Sequence, residues 1–507
     1  MIRLIRQLSI QKFVRPQPQS QLLLRFNSQK INFHKPDKAY SNERSDAADA
    51  AATILSELHD EKVHPNKATW LDALKQREKF QAEGKTLDSY SYIDPITTAV
   101  GEKTRSDSFS YLILPFKDDK WLCDAYINAF GRLRVGQLFQ DLDALAGRIA
   151  YRHCSPAEPV NVTASVDRIY MIKKVDEITN YNFVLAGSVT WTGRSSMEIT
   201  VKGYAFEEEE ITHIENEESL SEENVFLSAN FTFVARNPLT HKSFAINRLL
   251  PVNENDWIDY RRAESHNAKK KLMAKNLSLI EPTPEESKLI YDMWKSSKSL
   301  QNDVEKKLND GIAFMKDTVM KSTLFMQPQY RNRHSYMIFG GYLLRQTFEL
   351  AYCTAATFSL AGPRFVSLDS TTFKNPVPVG SVLTMNSSIS YTEHLHDLDQ
   401  IKEEIDNDSP FNFSLPPTNK ISKSPNAFLS EPGTLIQVKV DTYIQQLEQN
   451  DKKPAGTFIY SFFVPKEGNS SFCSVIPQTY SEMMTYIGGR RRAQDTAQYV
   501  ETLPTSK

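Results

Sequence analysis

The sequence predicts an α+β protein built twice from one unit, a long helix with antiparallel strands around it. Two observations carry this. Asn128-Ala129-Phe130-Gly131-Arg132-Leu133-Arg134-Val135-Gly136 is nearly repeated about two hundred residues later as Asn332-Arg333-His334-Ser335-Tyr336-Met337-Ile338-Phe339-Gly340-Gly341. Each copy reads as an Asn, a short run, a glycine and then an amphipathic helix. Each is also followed by an Asp-led stretch read as a strand start, Asp167-Arg168-Ile169 and Asp369-Ser370-Thr371. Two diverged copies imply a pseudo-dimer with its working site at the seam.

The elements follow in order. Residues 1–36 carry Arg3, Arg6, Lys12, Arg15, Arg25, Lys30 and Lys35, and no acid precedes Asp37. Leu4, Ile5, Leu8, Ile10, Phe13 and Val14 can line one side of a helix, so this stretch reads as a transit peptide for the mitochondrial matrix. Residues 37–105 form a polar extension with an Ala-rich helical run at 46–58. The first unit, 106–236, opens with an alternating strand at 108–114, and its helix follows from Gly136. Its strands are expected at 160–166, 183–192, 197–206 and 225–234. A linker with helices, 237–320, contains Lys269-Lys270-Lys271 and the start signal Thr283-Pro284-Glu285-Glu286, a Thr cap with Pro first and Glu third. The second unit, 321–470, repeats the order, with strands at 364–368, 382–391, 435–443 and 457–464. An insertion at 393–432, rich in Asp, Glu, Asn, Ser and Pro, reads as a disordered surface loop. A tail, 471–507, holds Gly488-Gly489-Arg490-Arg491-Arg492.

Composition removes several functions. A net charge of −2 over 507 residues argues against a general nucleic-acid binder. Cys123, Cys154, Cys353 and Cys473 are scattered without ligand spacing, so they read as reduced thiols and no metal is expected. No run is apolar for the length of a bilayer span, so no integral membrane segment is expected. No GxSxG, Walker A, HExxH or GxGxxG string occurs, and no cofactor is expected.

Certain strings carry a family resemblance. They include Arg105-Ser106-Asp107-Ser108, Gly131-Arg132-Leu133-Arg134-Val135-Gly136, Asp141-Leu142-Asp143-Ala144-Leu145-Ala146 and Ala245-Ile246-Asn247-Arg248-Leu249-Leu250-Pro251. In the second unit they include Gln327-Pro328-Gln329, Ile338-Phe339-Gly340-Gly341 and Phe373-Lys374-Asn375-Pro376-Val377-Pro378-Val379-Gly380-Ser381. In order and joint extent these resemble the mitochondrial double-hotdog acyl-coenzyme A thioesterases. The resemblance implies a tandem hotdog fold, hydrolysis of fatty acyl-CoA to free acid and CoA, and a homo-oligomer, a trimer of double hotdogs. The alternative from another class is an inactive double-hotdog matrix scaffold or acyl-CoA-binding protein.

Thioester hydrolysis needs an activated water and donors aimed at the forming oxyanion. On a helical wheel, Leu138, Phe139, Leu142, Leu145, Ala146 and Ile149 form the apolar stripe of the first helix, with Asp143 at its edge. Phe348 takes the place of Asp143 in the second helix, and Glu349 projects further round toward the polar side. The resemblance implies an acid on one helix opposed to an Asn before the other, which here are Asp143 and Asn332. Asp143 is then the expected general base, Asn332 orients water or carbonyl, and the Gly341 N–H stabilises the oxyanion. Gly340 lets the substrate approach, and Phe348 shapes the acyl pocket. Arg331 and Arg333 flank the helix start as candidates for the CoA phosphates, with Arg132, Arg134 and Arg490 to Arg492 as further cations. His334, a lone loop histidine, reads as structural. The opposite seam, Asn128 facing Phe348, is expected to lack an acid and to be inactive.

Overall fold

A computed structural model describes residues 98–157, 159–207, 211, 213–237, 240–276, 280–300, 311–332, 337–369, 371–395, 417–422, 427–447, 451–466 and 473–501. The expected leader, the run at 46–58, Arg333 and His334 lie outside them. The first repeat consists of β1 (Ser110–Leu114), α1 (Val135–Cys154), β2 (Val160–Met171), β3 (Asn182–Thr192), β4 (Ser196–Phe206) and β5 (Val225–Arg236). Helices α2 (Glu254–Asn276) and α3 (Pro284–Leu300) follow. The α3 start is closed as its sequence predicts. The Thr283 hydroxyl accepts the Glu286 N–H at 3.2 Å, and the Glu286 carboxylate accepts the Thr283 N–H at 2.8 Å. The second repeat is β6 (Met320–Phe325), α4 (Gly340–Ser359), β7 (Arg364–Leu368), β8 (Thr371–Thr372), β9 (Val382–Leu395), β10 (Gly433–Gln445), β11 (Lys452–Pro465) and α5 (Tyr480–Glu501).

These eleven strands join one antiparallel sheet in the order β1-β3-β4-β5-β2-β7-β11-β10-β9-β6, with β8 also on β2. The order reads the same from either edge once the repeats are exchanged. At the junction β2 and β7 pair through Ser367 with Tyr170 and Leu368 with Ile169, and β8 continues through Thr371 with Val166 and Thr372 with Ser165. A shift of 202 residues (367 − 165, 372 − 170) maps this register onto itself. The bulges obey the same shift, one between Thr163 and Ser165 and one between Phe365 and Ser367. Helices α1 and α4 are both 20 residues long and start 205 residues apart (340 − 135). They pack against each other and against the sheet. Between them Phe139, Phe348, Phe365 and Tyr460 form an aromatic cluster, with Phe139 and Phe348 edge to face at 5.3 Å and Phe348 and Tyr460 at 5.6 Å.

Several expectations change. Asp167 and Asp369 do not start strands. Asp167 lies inside β2 and Asp369 directly follows β7, because the bulges break the two-residue alternation that marks a strand in sequence. The stretch read as a tail folds into the helix α5, with the Gly488-Gly489 pair inside it; a Cβ on Gly489 would lie 2.4 Å from the Tyr391 Cβ, so the pair lets α5 lie close on β9. The ends of the 393–432 insertion are built in. Glu393 is buried in β9 and accepts the N–H groups of Thr418 and Asn419, each at 2.8 Å. Residues 396–416 and 423–426 of the insertion lie outside the described residues.

Candidate active site

Asp143 lies eight residues into α1, where the helix turns it away from water toward the start of α4. It is 1 % exposed. Its Oδ2 accepts the backbone N–H of Gly341 at 2.6 Å, and its Oδ1 accepts the Thr163 hydroxyl of β2 at 2.9 Å. The first N–H groups of any helix lack intrahelical partners and carry partial positive charge. A buried carboxylate is the strongest acceptor such a group can meet. Burial pushes the Asp143 carboxyl up to about 6, while the bonds from Thr163 and Gly341 restrain the rise.

Glycine at both positions makes this approach possible. A Cβ on Gly340 would lie 3.0 Å from Asp143 Oδ2 and 3.4 Å from Thr163 Oγ1. A Cβ on Gly341 would lie 2.7 Å from the Phe339 ring and 3.0 Å from Gln140 Cα, so it would separate the two helices. Gln140 and Arg345, also 205 apart, meet across the helix pair, Arg345 Nη1 donating to Gln140 Oε1 at 2.9 Å.

The structure brings together Asp143, Gly340 and Gly341, and adds Thr163, which sequence reasoning missed. Asn332 is not among the hydrogen-bond partners of Asp143. Among the described residues the partners of Asp143 are Thr163 and Gly341. Asn332 sits half-buried on the turn before α4, its N–H donating to the Met337 carbonyl at 2.8 Å. That repeats Asn128, whose N–H donates to Arg132 O at 2.8 Å. Arg331 pairs through its backbone with Ile338 on the same turn. Phe348 belongs to the aromatic core and lines the cavity at the opposite seam. The Gly341 N–H, expected to face an oxyanion, is held by the Asp143 carboxylate instead.

The opposite seam keeps Asn128 for Asn332 and Gly136 for Gly341 but differs at the positions of Asp143, Thr163 and Gly340. Phe348 stands for Asp143 by the helix shift, and Phe365 stands for Thr163 by the strand shift; the two rings meet edge to face at 5.5 Å. Val135 stands for Gly340. A cavity of about 330 Å³ opens there, lined by Asn128, Arg132, Arg134, Phe348 and Glu349 among others. The expectation that this seam lacks an acid is corrected by Glu349, whose Oε1 lies 3.1 Å from where a Gly136 Cβ would be. It is a partly exposed carboxylate paired with Arg134 at 3.0 Å, not a buried one. Arg132 is likewise engaged, 3.5 Å from Asp176 and donating to Gly362 O at 3.0 Å. Arg491 pairs with Glu286, and Arg492 lies 4.0 Å from Asp369. These cations answer acids remote in sequence, which is why the sequence made them look free for phosphate. The signal for Thr163 was present in sequence: aligning the repeats on Asp167 and Asp369 pairs it with Phe365, the same polar-to-aromatic swap that separates Asp143 from Phe348.

No family model matches the chain. Acyl-coenzyme A thioesterase 2, chloroplastic, of Humulus lupulus is 33 % identical over 390 residues, covering 75 % of this chain and 79 % of that protein. Acyl-coenzyme A thioesterase 9, mitochondrial, of Homo sapiens is 26 % identical over 434 residues, covering 83 % and 84 %. Among solved structures, an acyl-CoA hydrolase from Staphylococcus aureus in complex with butyryl coenzyme A is 19 % identical, covers 35 % of this chain and 93 % of its own, and has a TM-score of 0.28. On the extent and identity of the first of these matches, the chain belongs to the acyl-coenzyme A thioesterase family.

Proposed function

We propose that this chain hydrolyses fatty acyl-CoA to fatty acid and CoA, as a tandem hotdog with one working site at the seam of α1 and α4. The two hotdog units are 106–236 and 321–470. One observation carries the site: a carboxylate buried at 1 % exposure, held by a helix-start N–H 198 residues away, with its proton affinity raised to about 6. Such a group is ionised at neutral pH yet basic enough to take a proton from water. Asp143 accepts that proton as the water oxygen attacks the thioester carbon. The C–S bond then breaks and the proton passes to the departing CoA thiolate, leaving the acid and the thiol. Thr163 and Gly341 aim the carboxylate. The Gly341 N–H, with the neighbouring N–H groups of the first turn, turns toward the oxyanion as charge leaves Asp143. Asn332 and Gly340 border the approach of the carbonyl, and Arg331 and Arg333 receive the CoA phosphates.

A mitochondrial location, with import to the matrix, belongs to the same proposal. The acid-free basic start and relatives named as mitochondrial support it. Uptake of the labelled chain by isolated mitochondria tests it; protease-accessible precursor at all times would sink it.

The deciding experiment measures CoA release from an acyl-CoA series of increasing chain length for wild type and Asp143→Asn. Wild-type turnover that drops about 10²- to 10⁴-fold in a folded variant is expected for loss of a general base. Turnover untouched by the substitution would remove Asp143 from the chemistry. No turnover at any chain length would leave the scaffold reading.

A further inference from the structure

The strands of each repeat are followed by a helix packed on the sheet, α2 on β3 and α5 on β9, and these helices also match. In α2 the Asn253 side chain accepts the Asp256 N–H, and Asp256 accepts the Val252 N–H. Before α5 Thr479 accepts the Glu482 N–H, and Glu482 accepts the Gln478 N–H. Both caps agree on a shift of 226 (479 − 253, 482 − 256), which carries His266 onto Arg492 and Ala263 onto Gly489. Strand bulges fix another pair: Trp191 opposes Glu198 immediately after one bulge, and Tyr391 opposes Gln437 immediately after its counterpart. Glu198 therefore corresponds to Gln437, as Asp167 corresponds to Asp369.

The second repeat thus sets the buried Asp369 and Gln437 beside the half-buried Arg492 of its covering helix, a set with no net charge. Arg492 Nε lies 4.0 Å from Asp369 Oδ2, and Gln437 Nε2 donates to Gly489 O at 3.0 Å. The first repeat puts Asp167, Glu198 and His266 in the same three places. Both carboxylates are 1 % exposed, and the ligand atoms of all three residues lie within 4.8 Å of one another. Ser165 and Thr232 hydroxyls orient Asp167 at 2.8 and 2.7 Å, and Asn267 Nδ2 orients Glu198 at 3.0 Å. Glu198 cannot donate as Gln437 does, so Asn267 also takes the Ala263 carbonyl, at 3.0 Å.

We propose that Asp167, Glu198 and His266 bind one divalent ion of the zinc or manganese type, which pins α2 to the sheet. One imidazole nitrogen and two carboxylate oxygens are donors that suit these ions. Ligands about 2.0–2.2 Å from zinc stand about 3.3 Å from one another, within a small side-chain movement of the present spacing. The hydroxyl and amide donors around the carboxylates supply the outer hydrogen bonds that orient metal ligands. His266 is half-buried, so the site is not sealed from solvent on that side.

The test uses the full chain and does not depend on hydrolysis. After EDTA treatment and removal of the chelator, wild type should take up one zinc or manganese ion per chain by calorimetry and mass spectrometry, with a rise in Tm. Glu198→Gln should weaken uptake about 100-fold. The double variant Glu198→Gln/His266→Arg, which copies the second repeat, should fold with no ion and show a Tm indifferent to EDTA. Failure of wild type to bind stoichiometrically would overturn the site, as would undiminished uptake by the double variant. If the double variant does not fold, undiminished uptake by His266→Ala would overturn it equally.

Discussion

At Asp143 burial and hydrogen bonding oppose each other, and burial prevails. The folded state therefore holds the neutral carboxyl more tightly than the unfolded chain does. Its contribution to stability is complete below about pH 4 and is lost as pH rises through about 6. At about 1.36 kcal/mol per pH unit, the ionised group costs roughly 3 kcal/mol at neutral pH. Asp143→Asn should then be more stable than wild type at pH 8 by up to about 3 kcal/mol, with the gap closing near pH 4. Urea unfolding at pH 4, 6 and 8 checks this; equal stability at pH 8 would mean the carboxylate is hydrated. Activity should run the other way, with wild-type kcat/KM falling below about pH 6. Thr163 acts through Asp143, so Thr163→Val should move that midpoint upward by removing a donor to the charged form. A rate lowered with an unmoved midpoint would assign Thr163 to packing alone.

At the scale of elements the proposed site predicts that the two glycines of α4 separate chemistry from stability. Gly340→Ala sets a methyl against the Asp143 and Thr163 oxygens, so turnover should fall while Tm stays within a few degrees. Gly341→Ala meets the Gln140 backbone and should cost about 1–3 kcal/mol by pushing α1 and α4 apart. Thermal melts beside turnover distinguish them; identical profiles would mean both glycines merely pack. Both helix starts and most strands were legible in sequence, because the periods of 3.6 and 2 survive in the apolar residues. The bulges at Ala164 and Val366 were not, since one extra residue erases alternation where β2 meets β7. Thr163 was lost with them. Asp143 stood out because a wheel places it from its own helix, whereas the acids that occupy Arg134 and Arg491 lie more than two hundred residues away.

Across the whole molecule the proposed function has the duplication divide labour between its seams. One seam keeps an acid, a threonine and glycine at a stability cost; the other replaces them with Phe348, Phe365 and Val135 and joins the aromatic core. Truncating Phe348 to Ala should cost about 3–5 kcal/mol, the range for a buried aromatic, which is comparable to what ionised Asp143 takes away. A protein with two Asp143-type seams would lose that offset. The arrangement therefore predicts one productive acyl-CoA site per chain despite two similar helix starts. Calorimetric titration with a non-hydrolysable thioether analogue of acyl-CoA should saturate at one equivalent per chain. Phe348→Ala should lower Tm but leave kcat within a few-fold, because its ring faces the seam without the buried acid. Two equivalents bound with equal affinity, or a Phe348→Ala variant that is stable yet inactive, would place chemistry at the aromatic seam and end the division of roles.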